Sequence, residues 1–89
     1  MLKDAVQAVV QKVVLDGKHG PYVVTTSTQV EGSITFSLDG SVWQERGIPS
    51  LGSFVLLLDL VKKQAGWRAM YGRFVRPSDD NQQPATRKE

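Results

Sequence analysis

Apolar and polar positions alternate with a two-residue period over most of the chain, the period of a β-strand. "GSITFSL" shows it best, with Ile34, Phe36 and Leu38 on one face and Ser33, Thr35 and Ser37 on the other. "PYVVTTST" follows a glycine–proline break and is rich in β-branched and aromatic residues, so it reads as a second strand. "SFVLLLDLVKK" is apolar at nearly every position and long enough to serve both faces of a curved sheet. "WRAMYGRFVRP" closes the series, with Gly72 placed for a bend or a bulge. Turn signals separate these runs: Asp39-Gly40, the glycine- and proline-punctuated "QERGIPSLG", and "QAG".

The first segment follows neither period cleanly. Val6, Val9, Val10, Val13 and Val14 recur at helical spacing. Yet five valines in nine residues is a β-branched load that helices tolerate poorly. A bulge partway along a strand shifts the inward face by one residue and produces the same pattern. The segment is therefore expected to be a bent strand from Val6 to Leu15, with a helix as the alternative.

Five strands with a long first and last, regular turns and no confident helix predict an all-β fold. An open five-stranded sheet would leave two edges exposed, whereas a small barrel closes most of them. The expected architecture is a five-stranded Greek-key barrel of the OB type, spanning residues 1–77. The following 78–89, largely polar and without a large apolar side chain, cannot bury enough surface to offset the entropy of ordering and is expected to be a disordered tail.

Composition narrows the function classes. Eighty-nine residues, 40% hydrophobic and 22% charged, suit one small globular domain. The absence of cysteine removes disulfides, thiolate metal sites and cysteine nucleophiles, and suits a reducing cytoplasm. No secretory peptide is read at the N-terminus. The longest apolar run, Phe54 to Val61, contains Asp59 and is too short to span a bilayer, so no membrane partner is expected. Net charge is +2, but Lys62, Lys63, Arg68, Arg73 and Arg76 fall in one acid-free segment carrying +5, which leaves −3 for the remainder. Such a concentration favours a polyanionic partner, or else a strand edge protected by cations.

The order of these elements resembles the cold-shock and ribosomal-protein-like RNA-binding OB domains. A first strand ends in a Gly/Lys turn before an aromatic-bearing second strand in "VVLDGKHGPYVV"; an aromatic third strand follows in "GSITFSLDGSVW". "PSLGSFVLLLDL" and "GWRAMYGRFVRP" continue the likeness to the end of the barrel. The glycine- and phenylalanine-rich first motif of the cold-shock family is absent. The resemblance implies binding of single-stranded RNA or DNA by base stacking beside a basic groove. By family position the stacking residues would be Tyr22 and Phe36, extended by Trp43, Trp67 and Tyr71. Phe36 nonetheless shares its face with Ile34 and Leu38, which is also a core pattern, and Trp43 is expected to cover an open end of the barrel. The cations would be Lys12, Lys18, Lys62, Lys63, Arg68 and Arg73, although adjacent Lys62 and Lys63 must face opposite ways on a strand.

"DGKHGPY" holds the single histidine, His19. No cysteine is present and no acid lies closer than Asp16, so His19 lacks a metal-ligand set, and no nucleophile or orienting group accompanies it. Its glycines lack phosphate-loop spacing. The stretch is expected to be a turn in which Gly17 and Gly20 take φ > 0 and display Lys18 and His19 beside the ligand face. No enzymatic constellation and no cofactor motif is evident. The expected function is a non-enzymatic single-stranded nucleic-acid-binding module, most readily for RNA. The alternative is a protein-interaction or assembly module, which scatter of the cations around the barrel would favour.

Overall fold

A computed structural model describes residues 5–76. The expected polar tail at 78–89 lies outside these residues. The chain forms five strands: β1 (Val6–Val14), β2 (Tyr22–Thr26), β3 (Ser33–Ser37), β4 (Phe54–Lys63) and β5 (Gly66–Phe74). They close into a barrel in the order β1-β2-β3-β5-β4, with β4 pairing back onto β1. The β3–β5 pairing is parallel and the others are antiparallel. This is the all-β, five-stranded OB-type barrel expected from the sequence, and no helix occurs among the described residues.

A bulge in β1 explains its mixed periodicity. Val10 pairs with Thr25 and Lys12 with Val24, leaving Gln11 as the extra residue. Before the bulge Val6, Ala8 and Val10 point inward and are buried; after it Val13, opposite buried Val23, packs against the core. Each bulged residue reverses the parity of those that follow. Val9 and Val14 thus lie on the outer face; of the helically spaced valines only Val6, Val10 and Val13 face inward, and the step from even to odd positions falls at Gln11.

The β4–β5 hairpin bends differently. Leu57 and Gly72 form one inward pair and Leu60 and Ala69 the next, three residues apart, with no slip in register. Asp59 absorbs the change of face by adopting φ 56° in the left-handed region. Short polar side chains tolerate that region better than β-branched ones. The bend expected at Gly72 therefore lies at Asp59, and no bulge occurs at Gly72. A Cβ on Gly72 would stand 3.1 Å from Leu57 Cδ2 and 3.3 Å from Trp43 Cε3, so this glycine makes room for the indole.

Two tryptophans close the barrel. Trp43, on the β3–β4 connection, is buried, stacks on Phe36 (centroids 5.3 Å apart) and meets Phe74 edge-on (5.0 Å). Its indole N–H donates to the Gly47 carbonyl at 2.7 Å, and its backbone is bridged to Gly72. The covering role expected of Trp43 is what the structure shows. At the opposite end Trp67 packs half-buried against the core and donates its N–H to the Glu31 carbonyl at 3.1 Å. Between them lie Val23, Ile34, Phe36, Val55, Leu57 and Leu60. Thr25, fully buried, has its hydroxyl satisfied by the Ile34 carbonyl at 2.9 Å, removing the cost of a buried polar group.

Candidate functional site

The β1–β2 turn builds the site from its backbone upward. The Gly20 N–H donates to the Gly17 carbonyl at 3.0 Å, closing the turn, with Lys18 and His19 exposed at its tip. Gly20 has φ 102°, as expected for a residue without Cβ. Gly17 does not take positive φ, contrary to expectation; its role is close approach. A Cβ there would meet the Gly20 carbonyl oxygen at 2.5 Å and the Tyr22 ring at 3.0 Å. The turn therefore seats the ring of Tyr22, a residue 37% exposed.

Strand pairing carries the remaining residues to the same place. Tyr22 pairs with Ser37, Val24 with Thr35, and Thr35 across the parallel β3–β5 junction with Arg68. These positions share the outer face, since their neighbours Val23, Ile34, Phe36 and Ala69 are buried. A groove of about 410 Å³ results, lined by Lys18, His19, Tyr22, Thr35, Ser37 and Arg68 among others. It combines two formal positive charges, an aromatic face with a hydroxyl, and two aliphatic hydroxyls. That set can hold a planar base against Tyr22 and an anionic group between Lys18 and Arg68.

The other expected site residues contribute differently. Phe36 borders the groove between Thr35 and Ser37 but is 1% exposed and stacked beneath Trp43; its side chain belongs to the core and offers no stacking platform, because alternation on β3 turns it inward with Ile34. Lys62 lies over the Trp67 ring, 5.0 Å from its centroid, so this pair caps the barrel end away from the groove. Lys63 sits in the β4–β5 hairpin opposite Gly66. Arg73 donates from Nη1 to the Phe74 carbonyl at 3.1 Å, five residues along β5 from Arg68 and about 17 Å away. Arg76 pairs with Glu45 at 3.5 Å, and the same carboxylate accepts from the Phe74 N–H. The +5 segment is thus dispersed along the hairpin and delivers one cation, Arg68, to the groove. Lys12 is exposed on the outer face of β1 beside Val24, next to the groove but not lining it.

Ser37 lines the groove without being among the expected site residues, although alternation in "GSITFSL" places it, like Thr35, opposite Phe36. Among the described residues no three His, Asp or Glu side chains gather as a metal site, and no helix is long and apolar enough to cross a membrane. The chain matches no protein-family model, no curated protein and no solved structure.

Proposed function

We propose that the protein is a non-enzymatic module that binds single-stranded nucleic acid, RNA before DNA, through the groove of the β1–β2 turn and the outer faces of β2, β3 and β5. The observation that carries this reading is the convergence of Lys18, His19, Tyr22 and Arg68, from three separate elements, on one groove. The likeness in element order to cold-shock and ribosomal-protein-like domains supports the same class of ligand. With two cations at the groove and Lys12 beside it, binding is weak at physiological salt and falls by roughly tenfold between 50 and 200 mM salt.

Titration of a labelled single strand at two salt concentrations tests this. Salt-dependent binding that weakens on Tyr22→Ala and Arg68→Ala is the expected result. No binding at low salt, or affinity indifferent to salt, refutes it.

The alternative, a protein-interaction or assembly module, is favoured by two observations. The cations are dispersed, and β4 carries apolar residues outward as well as inward: Phe54, Leu56, Leu58 and Val61. Antiparallel strands with one solvated face ordinarily alternate with polar residues there. Co-purification of one defined protein, unaffected by nuclease, is the result that would place this reading first.

A further inference from the structure

The outer face of β2 does not stop at the groove. Tyr22, Val24 and Thr26 point outward in succession between buried Val23 and Thr25, a run of about 13 Å. At its far end Thr26 borders a second concavity, of about 390 Å³, lined by Gln7, Gln11, Thr26, Gln29 and Phe54 among others. None of its lining residues is charged. Phe54, paired with Val9 on the outer face, is 54% exposed.

The polar groups here are held in place. Gln29 Oε1 accepts from the Gln7 N–H at 2.9 Å, and Gln11 Nε2 donates to Thr26 Oγ1 at 3.0 Å. Each amide is thereby oriented and keeps its other end, Gln29 Nε2 and Gln11 Oε1, for a ligand. A site with an exposed ring and fixed amide edges but no cation suits a nucleobase and not a phosphate. Midway between the two concavities, Val24 has Lys12 on the neighbouring strand to one side and, beyond Thr35, Arg68 to the other. Those cations stand where the connecting backbone would pass.

We infer that the Phe54 concavity is a second, cation-free base subsite, and that one strand runs from Tyr22 along β2 to Phe54. This rests on the proposed nucleic-acid reading and extends it to a length of ligand and a direction of travel.

The test compares a thymidine dinucleotide with an oligothymidylate of about eight nucleotides, within the range of one OB barrel. Phe54→Ala, at an exposed position, is expected to weaken the longer strand roughly 5- to 150-fold. It should leave the dinucleotide and the salt slope unchanged. Phe54→Trp should bind the longer strand at least as tightly as the native chain. Lys12→Ala should instead lower the salt slope by about one. The subsite is refuted if Phe54→Ala binds the longer strand like the native chain, or if the native chain holds both lengths equally. If it holds neither, the groove reading fails as well, and the two failures are distinguishable.

Discussion

The Tyr22 ring rests on Gly17: its Cε1 lies 3.0 Å from where a Cβ on that glycine would stand, and the Gly20 carbonyl oxygen closes the other side at 2.5 Å. The neighbour at 2.5 Å is backbone, which cannot swing aside as a flexible side chain can. Gly17→Ala therefore forces the turn open or lifts Tyr22 from its seat. The expected cost is about 1–3 kcal/mol, read as a lower urea midpoint, together with weaker strand binding.

Tyr22 and Phe36, both stacking candidates from the resemblance alone, should separate by experiment. Tyr22→Ala is expected to weaken single-strand binding by roughly 1–3 kcal/mol, the value of one stacked base, with little change in stability. Phe36→Ala should cost about 3–5 kcal/mol of stability by emptying the core beneath Trp43. Paired denaturation and binding measurements on the two variants decide this. A Tyr22→Ala protein that binds like the native chain would remove the groove from consideration.

Trp43 and Gly72 should be energetically coupled. Trp43→Ala removes a buried indole, its stack on Phe36 and its hydrogen bond to Gly47, at about 3–5 kcal/mol. Small domains hold roughly 5–15 kcal/mol in total, so this variant should be marginally folded. Gly72→Ala crowds Trp43 and Leu57 and should cost about 1–3 kcal/mol alone. In a Trp43→Phe background, with the larger ring gone, that penalty should shrink. A double-mutant cycle by urea denaturation measures the difference, and additivity would contradict the contact.

Asp59 offers a substitution of the opposite sign. Its exposed side chain and φ of 56° mean that a glycine there relieves left-handed strain. Asp59→Gly is expected to stabilise the barrel by up to about 1 kcal/mol. Asp59→Val should destabilise it by about 1–2 kcal/mol despite its strand propensity. Thermal melts of the two variants should move in opposite directions.

Strand order and turn placement were legible in the chain because each is encoded locally. Alternation in "GSITFSL", the break before Tyr22 and the glycine–proline punctuation after Trp43 all act within a few residues. Even the bulge in β1 was visible, since one extra residue leaves a change of parity among the valines. The same local code places Phe36 inside with Ile34, and only the resemblance argued otherwise. Spacing did not distinguish a glycine that turns the chain from one that makes room, so Gly17 and Gly72 were read by conformation when contact with Tyr22 and Trp43 explains them.

The candidate site was only half legible. Lys18, His19 and Tyr22 adjoin in sequence, so one turn displays them together. Arg68 reaches them because β3 and β5 pair in parallel, a contact between segments more than thirty residues apart. The run of cations from Lys62 to Arg76 looked like one basic patch because charge was counted along the chain. The β4–β5 hairpin spreads those cations from one end of the barrel to the other, and Lys62 turns onto Trp67. The sequence by itself determined the strands, the inward faces of β1 to β3 and the position of the β1–β2 turn, because short-range sterics and hydrophobic alternation suffice for these. Only closure of the barrel decided which outward residues share a surface, because that depends on register between strands distant in the chain.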